Sequence, residues 1–150
     1  MSDGLYIQRP WSIKALHCGL SLSTLIVFFV VEDGDAPHRY WGYGAAVSAL
    51  LILSLRFWSS SFRFQPISKK PFLAKWIHNL MLTALLLLAL TGWTMSLDAF
   101  WGEEWLERLH DALSWFLGGL VSLHLVGIFT DAVLLKRPTW LLMMTRLRAK

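Results

Sequence analysis

Two histidines lie in the most extended apolar stretch of this chain, which runs from Trp105 to Leu135. His110 and His124 are fourteen residues apart. This spacing is close to four turns of an α-helix, so both imidazoles project from one helical face. At a rise of about 1.5 Å per residue the rings are separated by roughly 21 Å along the axis, slightly less than the thickness of a bilayer's hydrocarbon core. One helix would thus present an imidazole near each membrane surface.

Three further histidines, His17, His38 and His78, lie in other apolar stretches. Sorted by depth, the five histidines form an outer pair, His38 with His110, and an inner set, His124 with His17 and His78. A haem iron with two histidine ligands needs two imidazoles at equal depth on different helices. The outer pair meets this requirement without a competitor, whereas His17 and His78 both remain candidate partners for His124.

A single histidine in a membrane helix is usually a polar group that shares a hydrogen bond with a neighbouring helix. That interpretation explains each histidine alone, but not the combination of one face, four turns and partners at matching depth. The favoured chemistry is therefore ligation of two haem irons. Because Cys18 is the only cysteine, the chain lacks a C-x-x-C-H attachment motif, and both haems would be non-covalent haem b.

Composition indicates a membrane protein. Of 150 residues, 55% are hydrophobic and only 16% are charged, and the mean hydropathy is +0.49, which is too apolar for an ordinary soluble domain. The 14 Lys and Arg exceed the 10 Asp and Glu, but they lie between and beyond the apolar runs. Membrane topology explains them better than nucleic-acid binding, so we expect lipid as a partner and no nucleic acid.

Four stretches are long enough to span a membrane, each bounded by charge or proline. They cover residues 11–31, 38–58, 72–97 and 105–135. The apolar runs do not alternate with polar residues as barrel strands do. We therefore expect an all-α fold, an integral membrane four-helix bundle that forms a single transmembrane domain over residues 1–150.

The charges of the connecting segments set the expected orientation. Basic residues collect on one side of the membrane: Arg9, Lys14, Arg56, Arg63, Lys69, Lys70, Lys75, Lys136, Arg137, Arg146, Arg148 and Lys150. Acidic residues collect on the other: Glu32, Asp33, Asp35, Asp98, Glu103, Glu104, Glu107 and Asp111. The positive-inside rule then places both termini in the cytoplasm of a multi-pass protein of the bacterial inner membrane. After Pro138, a short amphipathic segment would lie on the inner leaflet.

These residues carry a resemblance to a known family. The chain resembles the four-helix di-haem bacterial cytochrome b561 group and its relatives, the b-type cytochrome subunits of nickel-iron hydrogenases and formate dehydrogenases. The motifs are WSIKALH, HRYWGYG, LRFW, AKWIHN, TGW, LHDALSWFLGGLVSLH and KRPTWLLMM, which together extend over nearly the whole chain. The resemblance implies that His17 pairs with His124 on the inner haem and His38 with His110 on the outer haem. Cys18 departs from the Trp that many relatives have at this position.

The same analogy suggests roles for the remaining polar residues. His78 and Asn79 would lie beside the inner haem, available to a propionate or to the carbonyl of a quinone, either ubiquinone or menaquinone. Arg39 is a candidate propionate partner at the outer haem. Arg56 and Arg63 are the candidates at the inner one, although Arg56 could simply extend to the membrane interface.

The expected function is electron transfer across the inner membrane, between the quinone pool on one side and a periplasmic or other soluble redox partner on the other. Two alternatives belong to different classes. The chain could be a quinone-linked oxidoreductase of a small molecule such as superoxide, although acidic outer loops would repel that anion. It could also be a haem-binding anchor subunit of a larger redox complex.

Overall fold

The computed structural model of the chain describes residues 11–58 and 71–133. These residues form four long helices, α1 (Trp11–Phe29), α2 (Ala36–Trp58), α3 (Pro71–Met95) and α4 (Glu104–Val133), with one turn of 3-10 helix at Asp98–Phe100. The described ranges contain no strand, so the all-α prediction is confirmed. The helix ends agree with the expected spans within about two residues. The expected C-terminal amphipathic segment lies outside the described residues.

Local sequence explains where the helices begin and turn. Pro71 is the first residue of α3, where its missing N–H costs no hydrogen bond. Glu104 and Glu107 lie in the first turn of α4, where their charge is favourable near the positive end of the helix dipole. Gly34 and Gly102 have φ values of 81° and 78° in the two short connections, a backbone conformation that favours glycine.

The helices form two hairpins that pack against each other. α1 packs along α2, α3 packs along α4, and α2 joins the hairpins by packing against α3. Small side chains permit this approach, since Ala45 and Ala49 on α2 and Ala84 on α3 are buried in the shared core. Leu117 of α4 is almost completely buried in the same cluster. In the described part of the chain, α4 does not pack closely along α1 or α2.

The outer surface of the helices is apolar. Leu73–Met95 and Glu104–Val133 are long and apolar enough to cross a membrane, yet only 17% and 11% of their most apolar windows are buried. A core helix of a soluble protein would be mostly buried, whereas a helix facing lipid exposes apolar side chains. The apolar part of α1, Lys14–Phe29, is shorter than these two helices. Length and composition thus support membrane crossing for two helices, and the four-span topology stays a prediction.

Hydroxyl groups within the helices are satisfied locally. Several Ser and Thr side chains donate to the carbonyl oxygen four residues earlier in their own helix: Thr24, Ser48, Thr91, Thr94, Ser122 and Thr130. In an apolar medium an unpaired hydroxyl is costly, so this pattern suits helices surrounded by lipid.

Candidate functional site

The five histidines collect into two groups at opposite ends of the bundle. His38, in the first turn of α2, and His110, in the second turn of α4, form one group. His17 and His78, each about two turns into their helices, meet His124 in the second half of α4. The structure therefore brings together the same two sets of histidines that we predicted from the depth of each histidine along its span.

The outer pair joins the two hairpins. The ring centroids of His38 and His110 are 6.3 Å apart, and their planes are inclined by 55°. Both side chains are partly buried. Two histidines from helices that are not close neighbours thus approach each other through their side chains.

The inner group contains two different contacts. The ring centroids of His17 and His124 are 6.4 Å apart, almost the same separation as in the outer pair. The centroids of His78 and His124 are only 4.5 Å apart, with the planes at 82°. This second contact has the distance and angle of an edge-to-face packing of two rings.

These separations provide a test of whether the residues fit haem. A bond between a metal ion and an imidazole nitrogen is about 2 Å long, so two imidazoles that bind one ion from opposite sides have ring centres about 6 Å apart. The separations of 6.3 Å and 6.4 Å match this value. The 4.5 Å between His78 and His124 is too short for an ion between the rings. His38 with His110 and His17 with His124 therefore fit axial ligation.

A hydroxyl group holds the imidazole of His110. Thr91 on α3 is buried, and its Oγ1 lies 2.8 Å from His110 Nδ1. The same oxygen lies 2.9 Å and 3.1 Å from the carbonyl oxygens of Leu87 and Leu88. A hydroxyl has one hydrogen and carbonyls only accept, so Thr91 donates to its own helix and accepts from the Nδ1–H of His110.

Gly92 brings the backbone of α3 close to the same ring. A Cβ atom at this position would lie 3.4 Å from Cε1 and 3.9 Å from Nδ1 of His110. This is already van der Waals contact, so a larger side chain would compete with the imidazole for space. Thr91 and Gly92 together fix the ring of His110 from one side.

His38 has a different environment. Its Nδ1 lies 3.4 Å from Oδ1 of Asp33, close enough for an ion pair if the imidazole is protonated. Among the described residues this buried nitrogen nevertheless has no hydrogen-bond partner. The carboxylate of Asp33 is almost fully exposed. Of the two outer rings, only that of His110 is fixed by a hydrogen bond among the described residues.

His78 is fixed by its own helix. Its Nδ1 lies 2.7 Å from the carbonyl oxygen of Ala74. Since a carbonyl oxygen only accepts, the proton of the ring is on Nδ1. His78 is therefore oriented by α3 and packs edge-to-face against His124.

The other expected site residues are placed less centrally or lie outside the structure. Arg39 follows His38 in α2 and is exposed, and Asn79 follows His78 in α3 and is also exposed. Arg63 lies outside the described residues, as does the side chain of Arg56. Their assignment to haem propionates stays a prediction.

Sequence reasoning missed three residues near the histidines. Thr91 and Gly92 belong to the TGW motif, which had no role assigned to it, and the helical pattern gave no sign that they would face His110. Lys14 was assigned to the basic cytoplasmic side, but its side chain is buried one turn before His17. A buried ammonium group is stable only among polar or anionic groups.

A comparison with models of protein families shows which family the chain belongs to. The family model described as prokaryotic cytochrome b561 matches residues 8–146, nearly the whole chain. The chain belongs to the prokaryotic cytochrome b561 family. The resemblance inferred from the histidine motifs is thus confirmed.

Membership of the cytochrome b561 family gives the general function. The protein is a membrane-bound cytochrome that binds b-type haem and transfers electrons. The two histidine pairs are the groups in the described residues whose spacing suits that cofactor. Comparisons with curated proteins and with solved structures found no match.

Proposed function

We propose that this cytochrome b561 holds two haem b groups and passes single electrons across the bacterial inner membrane between quinone and a redox partner. The observation that carries the proposal is the pair of matching ring separations, 6.3 Å and 6.4 Å, at positions fourteen residues apart on α4. Two sites at opposite ends of a membrane helix suit entry of an electron at one surface and its exit at the other.

The proposed ligands are His38 and His110 at the outer haem and His17 and His124 at the inner haem. Haem supplies the one-electron redox chemistry when bound. The protein contributes the neutral imidazole ligands, an apolar surrounding that excludes water, and cations for the propionates. Arg39 is the proposed cation at the outer end, and Arg56 and Arg63 are those proposed at the inner end.

The proposed quinone contact is at the inner end, at His78 and Asn79 of α3. The ring centroids of His78 and His124 are only 4.5 Å apart, which supports a role for His78 beside the ligand pair instead of within it. Ubiquinone and menaquinone both present carbonyl oxygens to such polar groups. The opposite end carries exposed acidic residues, among them Asp33, Asp98 and Glu103. This charge suits a cationic soluble partner better than the superoxide anion.

The test is electron transfer across a bilayer. We would reconstitute the purified protein into liposomes that contain trapped ferricyanide and add a reduced quinone analogue outside. The wild type is expected to reduce the trapped ferricyanide. His110→Ala and His124→Ala should each keep one haem and lose this transfer, because each removes a ligand from a different site. Ser122→Ala is the matched control on α4, since this exposed hydroxyl donates to the carbonyl oxygen of Gly118 in its own helix.

Two outcomes would contradict the proposal. A wild-type protein that carries its full haem content but oxidises no quinol would support the anchor function. Loss of both haems from either histidine variant would mean that the sites are not separable.

A further inference from the structure

Thr91 lies at the outer histidine pair without being a ligand itself. Its side chain is 7% exposed, and its Oγ1 lies 2.8 Å from Nδ1 of His110. The contact joins α3 to α4 within the second hairpin, between residues nineteen positions apart in the chain. A buried polar contact of this kind fixes the geometry of both groups.

The direction of the hydrogen bond follows from the rest of the helix. Thr94, one turn later on α3, donates its hydroxyl hydrogen to the carbonyl of Leu90 at 2.8 Å. Thr91 makes the equivalent contact to Leu87 at 2.9 Å. Because the single hydrogen of Thr91 is committed in this way, its oxygen accepts the Nδ1–H of His110. The proton on Nδ1 leaves Nε2 as the nitrogen with a lone pair.

We infer that Thr91 is a positioning residue for the outer haem, which orients His110 and makes its free nitrogen a stronger electron donor. The inference rests on the proposed ligation of haem by His110. A ligating histidine usually donates its other ring N–H to an acceptor, and this bond fixes the tautomer and raises the basicity of the ligand. A more basic ligand stabilises ferric over ferrous iron, so this contact lowers the midpoint potential of the outer haem.

The effect is specific to the outer haem because the histidine rings differ in their hydrogen-bond partners. Among the described residues, Nδ1 of His38 lacks a hydrogen-bond partner, so His110 is the ring of the outer pair that a hydroxyl holds. His17 of α1 and His124 of α4 meet at the other end of the bundle and do not share this contact. The inner haem therefore reports whether a Thr91 variant has folded.

The test compares Thr91→Val with Thr91→Ser and Thr94→Val in redox titrations of the purified holoprotein. Valine keeps the shape of threonine but cannot accept a hydrogen bond, whereas serine keeps the hydroxyl. Thr94→Val is the matched control, because it removes a similar hydroxyl from the same helix without touching a histidine. The outer-haem component is the one that His110→Ala removes.

Thr91→Val is expected to weaken outer-haem binding by about 10- to 100-fold, measured as transfer of haem to excess apomyoglobin, and to shift the outer midpoint potential upward. If ferric affinity falls tenfold more than ferrous affinity, the shift is about 59 mV for a one-electron couple. The inner potential, Thr91→Ser and Thr94→Val should remain like the wild type.

Four results would overturn the inference. Thr91→Val could match the wild type in both measurements while two haems remain, which would leave the proposed function intact. Thr94→Val could shift the potential equally, or Thr91→Val could lose both haems, and either would show a general packing role. A wild type without an outer haem removable by His110→Ala would contradict the proposed function itself, and the inference with it.

Discussion

At the scale of single residues, the choice between His17 and His78 as the partner of His124 depends on a difference of about two ångströms. The centroid separations are 6.4 Å for His17 and 4.5 Å for His78. Only the larger one leaves room for an ion bonded to a nitrogen of each ring. These contacts support His17 as the ligand and His78 as its neighbour.

This difference leads to a prediction for two alanine variants. His17→Ala should lose the inner haem, so that the pyridine haemochrome assay gives about half the wild-type haem per chain. His78→Ala should keep both haems, because the removed ring packs against a ligand and is not one itself. The two variants serve as controls for each other, since each removes one imidazole that contacts His124. Loss of haem from His78→Ala with full retention in His17→Ala would reverse the proposed pairing.

At the scale of helices, the packing of α3 against α4 shapes the outer site. Gly92 lets the backbone of α3 approach the ring of His110, with a virtual Cβ 3.4 Å from Cε1. A longer side chain would have to occupy the space of the imidazole or push the helices apart. Interiors are packed too densely to absorb such a change without displacement.

Gly92→Leu should therefore displace His110 and reduce the haem content from two per chain to one, with the inner haem retained. Gly19→Leu is the matched control, because a Cβ at this exposed position of α1 would meet no described atom within 4 Å. The haem-to-chain ratio of the purified proteins measures both effects. A Gly92→Leu protein with its full haem content would contradict the close approach of α3 to His110.

The helices themselves were predictable from sequence, whereas their mutual rotation was not. Long apolar runs with charged ends predict where helices begin and end, and the fourteen-residue spacing predicts that His110 and His124 share a face. Which residue of α3 faces His110 depends on how the two helices turn toward each other. The contact of Thr91 and the burial of Lys14 arise only from that packing, so periodicity within one helix contains no sign of them.

At the scale of the whole molecule, the charge distribution predicts how the protein is oriented in the membrane. Exposed acidic residues surround the end of the bundle that holds His38 and His110, while most basic residues lie toward the other end of the sequence-predicted spans. The positive-inside rule relates basic segments to the cytoplasm. The outer pair would therefore lie toward the periplasm and the inner group toward the cytoplasm.

This orientation predicts which positions a membrane-impermeant maleimide can label in intact cells with a permeable outer membrane. In a Cys18→Ala background, Asp35→Cys and Glu103→Cys should react, because both positions are exposed and lie in connections that the positive-inside rule places on the periplasmic side. Trp11→Cys, exposed at the start of α1, should react only after the inner membrane is opened. Labelling of Trp11→Cys alone in intact cells would invert the proposed topology.

In the proposed function, one membrane helix, α4, supplies a ligand to each of two haems. The most direct measurement is the pyridine haemochrome content of the purified wild-type protein, expressed as haem b per chain. We expect a ratio close to two, since each of the two histidine pairs has the separation that one iron requires. A ratio near one would mean that one of the pairs does not bind haem. A protein that binds no haem even when haem is supplied in excess would contradict ligation at both pairs.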